Sequence, residues 1–313
     1  MSGVLDLLAE STFISSIPRF VAPILLAAQG GALCQRAGVF NIALEGKMLG
    51  AAFAAVAASY ATQSAVIGVL AAVLTGALAG LVFAVVSVWK RADSIVVSIA
   101  LNLLISGLTA FALRAVFGVK GAFDDPRIAA LTAFDVPLLA DVPLLGPLFT
   151  DQTALVWLSV AVTALMHVFL FHHPWGLRLR GVGENPLAAR SMGVSVTRAQ
   201  TGALIVCGVL CGLAGAQLSI GAVSLFVEDM VAGRGWIAVV AVMLAVAHPW
   251  GVALVALLFG TVDSLSFRIQ GVGAPQQFTE MLPYLATLIA LILAALKRKH
   301  DHQDRSSQVS RHE

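Results

Sequence analysis

Residues 48–89 read MLGAAFAAVAASYATQSAVIGVLAAVLTGALAGLVFAVVSVW, bounded by Lys47 and Lys90 with no charged side chain between them. A helix needs about 20 mostly apolar residues to cross the roughly 30 Å hydrocarbon core of a bilayer. The stretch is long enough for two crossings, and the polar run Tyr60-Ala-Thr-Gln-Ser64 marks the turn between them. Two spans back to back set the class: an all-α, polytopic membrane helix bundle.

The same reading extends along the chain. Further uncharged runs cover Phe20 to Gln35, Ser94 to Leu113, Gln152 to Leu177, Ala199 to Val227, Gly235 to Val262 and Met281 to Leu296. They predict nine segments: 14–33, 41–60, 65–88, 94–116, 152–171, 200–221, 235–248, 251–267 and 281–297. The seventh is short for a crossing. It reads as a broken helix that includes part of 222–234, or as a re-entrant element. Residues 1–13 form a lead-in on the membrane surface. Asp6 and Glu10 stand where a signal peptide carries its positive charge.

Composition agrees. Of 313 residues, 59% are hydrophobic and only 12% charged; a soluble domain carries about 25% charged residues. Mean hydropathy is +0.92. A soluble enzyme, a disordered protein and a nucleic-acid binder are excluded. The cysteines Cys34, Cys207 and Cys211 all lie in apolar surroundings and read as small packing residues, without disulfide or zinc spacing.

Charge distribution predicts orientation, because cytoplasmic loops are enriched in Lys and Arg. The loop 172–199 carries Arg178, Arg180, Arg190 and Arg198 against Glu184; the turn 89–93 has Lys90 and Arg91; the tail opens Lys297-Arg-Lys299. These face the cytoplasm. The loop 118–151, with Asp124, Asp125, Asp135, Asp141 and Asp151, and the segment 222–235, with Glu228 and Asp229, face outward. The N-terminus is then outside and the C-terminus, with the tail 298–313, inside.

No Gly-x-x-x-x-Gly-Lys-[Ser/Thr] loop, His-Glu-x-x-His or Gly-x-Ser-x-Gly occurs, so no catalytic residues, metal site or cofactor are expected. His172 and His173 alone make no metal site. Gly46-x-x-x-Gly50, Gly76-x-x-x-Gly80 and Gly208-x-x-x-Gly212 read as close helix packing. Polar residues at membrane depth are more telling. Asn41 and Glu45 fall four apart, with Arg36 and Lys47 as potential partners of the carboxylate. Glu45 fits a cavity or the cytoplasmic interface equally well. Asn102 is mid-span and either bonds across helices or lines a path. Asp263 lies near Arg268 and suits a local pair. Gly233-Arg-Gly235 opens the short seventh segment; its glycines permit a bend, and a helix N-terminus there favours polar or anionic groups. In the basic loop, Asn185 is a helix cap, Pro186 fits the first turn and Gly193 a stop. Together they predict a helix of about two turns, solvated or docking a partner.

On these residues the chain resembles the permeases of ABC importers. Leu177–Gly193 resembles their coupling-helix loop in the branch for simple sugars, nucleosides and branched-chain amino acids. Arg36-Ala-Gly-Val-Phe-Asn-Ile-Ala-Leu-Glu-Gly46 resembles the signature of the short nucleoside-type permease. So do Asp93-Ser-Ile-Val-Val-Ser-Ile-Ala-Leu-Asn102, Ala232-Gly-Arg-Gly-Trp-Ile-Ala238 and His248-Pro-Trp-Gly251, followed by Leu258-Phe-Gly260 and Asp263. The likeness runs over roughly 15–297, within a permease domain of 14–297. It departs at Phe40, Ala43 and Lys47, the last where an apolar residue is common.

The resemblance implies a multi-pass transport subunit of the bacterial inner membrane, not an enzyme. It would pair with a longer homologous permease, dock a cytoplasmic ATP-binding subunit and receive cargo from an extracytoplasmic binding lipoprotein. Gly183, Glu184, Asn185, Pro186, Ala188 and Ala189 would couple to the ATPase. Phe40, Asn41, Glu45, Asn102 and Phe226 are candidate pathway residues for an amphipathic, neutral cargo; core packing competes for each phenylalanine. A sugar or branched-chain amino acid is the alternative cargo. An ion-coupled secondary transporter, relying on Glu45 as relay, is the alternative of another class. A short echo, Met48-Leu49 against Met243-Leu244, fits a two-half design with broken helices.

Overall fold

A computed structural model describes residues 11–134, 148, 150–271 and scattered helical positions between 281 and 292, with side chains from Ile14. The order is α1 (Ser11–Arg36), α2 (Leu44–Thr62), α3 (Ala65–Ala84), α4 (Ser94–Phe117), α5 (Ala154–His172), α6 (Pro174–Glu184), α7 (Pro186–Ser191), α8 (Val196–Ala216), α9 (Arg234–Leu244) and α10 (Pro249–Gly271). Wider π turns extend α3 through Val85–Trp89 and α8 through Gln217–Gly221. Four two-residue strands complete the described elements. β1 (Ala122–Phe123) pairs antiparallel with β4 (Phe226–Val227), and β2 (Ala133–Phe134) with β3 (Gln152–Thr153).

Six described helices are long and apolar enough to cross a membrane: Ile14–Arg36, Ala65–Trp89, Ser94–Phe117, Ala154–His172, Val196–Gly221 and Pro249–Gln270. They match six expected segments. The second expected segment is the helix α2, which carries Glu45 and Lys47 in its first turns and is not among the six. The seventh is the short α9, and most of the ninth lies outside the described residues. Nine spans are therefore not established.

Burial sorts the bundle. In α1 and α8, 78% of the most apolar window is buried; in α3 the share is 28% and in α4 only 17%. The first two form the centre, while α3 and α4 present Leu70, Leu74, Leu103, Leu104 and Phe111 outward. In lipid this is no fault, because the surrounding hydrocarbon is as apolar as the core. Cohesion then depends on close packing, and the glycine motifs supply it. A methyl at Gly76 would collide with the Gly208 carbonyl, and one at Gly208 with that of Gly76. The two motifs thus face each other where α3 crosses α8. The third motif packs on α4, where a methyl at Gly50 would meet Ile105 at 2.9 Å.

Helix ends follow local chemistry. Asp93 caps α4 by accepting from Ile95 N at 2.9 Å and Val96 N at 3.0 Å. Gly118, at φ 70°, closes it. The loop 118–134 meets the segment 222–227 through β1 and β4.

Candidate crossover and coupling site

Between α1 and α2 the chain leaves helical structure at Ala37 and regains it at Leu44. Non-helical backbone inside a membrane protein needs every polar group satisfied by protein. Side chains from neighbouring helices do this. Gln200 Nε2 donates to Ala37 O at 3.2 Å. Ile42 N donates to Ser98 Oγ at 3.1 Å. Asn102 Nδ2 donates to Ile42 O at 3.2 Å, and its Oδ1 accepts from Gly46 N at 2.8 Å. Asn41 Oδ1 accepts from Ala43 N at 3.0 Å. Asn102 is thus a bracket across helices, the first of its two expected roles. Asn41 is buried, with Nδ2 3.3 Å from Cys207 Sγ and 3.7 Å from Cys34 Sγ.

The short helix α9 lies along this crossover and is held at both ends by it. Glu45 Oε1 accepts from Gly233 N at 2.8 Å, and Oε2 from Gly235 N at 2.7 Å. A carboxylate on the free N–H groups of a helix start is favoured by hydrogen bonding and by the dipole. Gly235 permits the approach, since a methyl there would sit 2.5 Å from Glu45 N. At the other end, Arg36 Nε donates to Ala247 O at 3.0 Å and Nη2 to Val246 O at 2.9 Å. Those carbonyls follow the helix C-terminus, where a cation is favoured. Val246 and Ala247 sit at φ 50° and 51°, so the chain turns sharply there into α10.

The path of 222–248 follows from its contacts. It starts at β4, beside the end of α4, and Asp229 Oδ1 accepts from Ser106 Oγ at 3.0 Å, partway along that helix. Gly233 reaches the level of Glu45, and α9 continues to Arg36 at the end of α1. The segment expected as a broken helix or a re-entrant element is therefore an irregular half followed by a helical half.

Two expected pairings are corrected. Arg36 and Lys47 do not pair with Glu45. Arg36 serves the far end of α9, and Lys47, fully buried, places Nζ 4.7 Å from the Phe83 ring centre with no hydrogen-bond partner among the described residues. Asp263 pairs with Arg234, Nε to Oδ2 at 2.7 Å, rather than through Arg268. Residues 29 apart meet because α9 and α10 fold back on each other, which proximity in sequence does not reveal.

The basic loop 172–199, expected to hold one short helix, contains two helices. The first, α6, occupies what reads in sequence as loop. Asn185 then caps α7, its Oδ1 accepting from Leu187 N and Ala188 N at 3.2 and 3.1 Å, with Pro186 in the first turn and Gly193 at φ 80° beyond the end. Glu184, Asn185, Pro186 and Ala188 are exposed; Ala189 is buried with Val182 and Val196 and anchors the helix. Gly183 is pressed on the crossover: a methyl there would collide with Arg36 O and sit 2.9 Å from Gly38 N. The loop thus touches the root of the element that grips α9.

The two phenylalanines lie apart. Phe40 is half-buried beside α9, lining with Asn41, Val239 and Val242 a void of about 10 Å³. Phe226 is buried edge-to-face on Phe53, centroids 5.2 Å apart, in a cluster with Phe117, Tyr60 and Phe123. Among the described residues no cluster of His, Cys, Asp and Glu is arranged to hold a metal ion. Arg36, Ser98 and Gln200 were not singled out as site residues in the sequence for these roles. The available signal was a helix interrupted at Gly38, which demands outside partners for its backbone.

The chain is 31% identical over 303 residues to the guanosine ABC transporter permease protein NupQ of Bacillus subtilis, covering 92% of each. It is 34% identical over 285 residues to the nucleoside ABC transporter permease protein NupC of Lactococcus lactis, covering 88% of this chain and 89% of that one. It is also 30% identical over 298 residues to a putative glucose ABC transporter permease protein, TsgC13, of Haloferax volcanii, covering 88% of each. In fold it is similar to PsaBC from Streptococcus pneumoniae, with TM-score 0.50 at 14% identity over 88% of this chain and 89% of the other. Residues 13–291 match the family model described as branched-chain amino acid transport system / permease component. The chain belongs to that family, as a multi-pass membrane transport component rather than an enzyme.

Proposed function

We propose that the chain is the short permease subunit of an ATP-driven importer for nucleosides, sharing its pathway with a second, longer permease. A cytoplasmic ATPase docks on α7, and an extracytoplasmic lipoprotein delivers the cargo. The observation that carries the machine is the contact of Gly183 with Arg36 and Gly38. Through it a push on α7 reaches the crossover, and the crossover holds both ends of α9. Glu184, Asn185, Pro186 and Ala188 form the docking face, and Ala189 roots it. Nucleosides are favoured as cargo by the names of the two relatives at 31% and 34% identity; the glucose relative keeps sugar as the alternative.

The orientation, N-terminus outside and C-terminus inside, is supported by two contacts. The loops assigned outside meet through β1 and β4. Trp89, at the basic 89–93 turn, donates from Nε1 to Thr201 Oγ1 at 3.0 Å, beside the basic coupling loop. An ion-coupled relay through Glu45 is disfavoured, because both carboxylate oxygens accept helix N–H groups. Phe40 and the crossover are the nearest candidates to a path; Phe226 packs the aromatic cluster instead.

The test is uptake of labelled nucleosides, ribose and leucine by cells with and without the chain, under ATP depletion and under collapse of the ion gradient. Chain-dependent, ATP-dependent nucleoside uptake is expected. Gly183→Val should abolish it while the protein still inserts, because the side chain displaces the crossover backbone. Uptake that follows only the ion gradient refutes the proposal.

A further inference from the structure

Between α5, α6 and α8 lies a groove of about 810 Å³, within the range of about 300–1,000 Å³ typical of small-molecule sites. Its walls are apolar: Leu33 and Met166 line the floor, while Leu165 and Val206 are 66% and 42% exposed and leave it open to the bilayer. Charge sits at one end only. Arg178 and Arg198, from the basic loop, line the mouth, and no lining residue is acidic. Neither guanidinium forms an ion pair with a carboxylate among the described residues. Trp175 stands at the same mouth, its ring centre 5.4 Å from the Arg178 guanidinium carbon. Tryptophan at that level marks the headgroup zone of a bilayer.

We infer that this groove is a binding site for an anionic phospholipid of the cytoplasmic leaflet. The acyl chain lies along Leu165, Met166 and Val206, and the phosphate is held by Arg178 and Arg198. The match is one of charge and direction. An apolar trough that opens sideways into lipid and ends in two unpaired guanidiniums at the interface repeats the layout of a phospholipid, and basic pockets between helices on this side bind anionic headgroups. Guanidinium forks suit phosphate better than a neutral headgroup.

The site can be tested on the assembled transporter, purified from bacterial membranes and exchanged into nanodiscs of phosphatidylglycerol or phosphatidylcholine. Native mass spectrometry then reads the retained lipid. Phosphatidylglycerol should be retained, with about tenfold loss for each of Arg178→Gln and Arg198→Gln, the least expected for a hydrogen bond to a charged group. Gly202 lines the groove with nothing within 4 Å of its missing side chain, so Gly202→Leu fills the trough without a backbone clash. That variant should lose the lipid with both arginines intact. Equal retention of phosphatidylcholine, or retention unchanged in the arginine pair, overturns the site. As a check independent of folding in the filled variant, Gly202→Cys carrying a photoreactive label should capture phospholipid. Capture of the ATPase or of a second permease would instead make the groove a protein interface and overturn the proposal.

Discussion

Replacing Glu45 by glutamine tests whether α9 is held as the geometry indicates. The wild-type carboxylate takes two N–H groups, Gly233 at 2.8 Å and Gly235 at 2.7 Å, at the start of a helix. Glutamine keeps one acceptor and turns a donor toward the other N–H. A hydrogen bond to a charged group is worth about 1.5–3 kcal/mol, and loss of the charge from the helix start adds up to about 2 kcal/mol. The neutral amide costs less to bury, which offsets part of this. The net is about 3 kcal/mol, or about 10²-fold in the constant for local opening. Hydrogen–deuterium exchange on the protein in nanodiscs reads it directly. The amides of Gly233 and Gly235 should exchange about 10²-fold faster, while those at the α3–α8 crossing stay protected. Glu45→Asp keeps the charge but shortens the reach by one methylene, and should lose protection at the same amides. Unchanged exchange at Gly233 and Gly235 in both variants would refute the cap. A loss spread evenly over the bundle would refute its local character.

Four further substitutions follow from the packing. Asn102→Ala leaves Gly46 N and Ile42 O without their side-chain partner and should cost about 2–4 kcal/mol, read as a lower midpoint in thermal unfolding; a change under about 0.5 kcal/mol would remove the bracket role. Lys47→Met removes an ammonium that is fully buried without a hydrogen bond and keeps the volume. It forfeits a cation–π contact of about 2 kcal/mol but avoids a desolvation cost of several, so it should raise the midpoint, by at least about 1 kcal/mol of stability. A lowered midpoint contradicts that balance. Gly76→Ala forces α3 from α8 against backbone and should cost about 1–3 kcal/mol or more, whereas Gly107→Ala, with nothing near its missing side chain, should be neutral or stabilise by up to about 1 kcal/mol. Equal effects of the two in a denaturant titration would rule out a close crossing.

Within a single sequence, some features are encoded locally. The run from Lys47 to Lys90 made two helices and at least one span plain, because length and absence of charge are properties of contiguous residues. The Asn185-Pro186 helix start and Gly193 stop were legible for the same reason: a cap acts on N–H groups two or three residues away. The glycine motifs announced close packing, and Gly233-Arg-Gly235 announced a helix start that favours a polar or anionic group. Neither named its partner. That Gly76 meets Gly208, that the anion is Glu45, and that Arg36 grips the other end of the same helix depend on chain segments far apart in sequence. The errors have the same origin. Glu45 was offered Arg36 and Lys47, and Asp263 was offered Arg268, because charge pairing reads nearest neighbours first; backbone amides at a helix start, which carry partial charge without any charged residue, took the carboxylate instead. Sequence determined the membrane class, six of the expected spans and the capped helix ends, since these rest on local hydropathy and hydrogen bonding. Only the tertiary structure decided which ends meet, because in a bundle without a hydrophobic drive between helices the pairing is set by shape and by the need to satisfy each buried polar group.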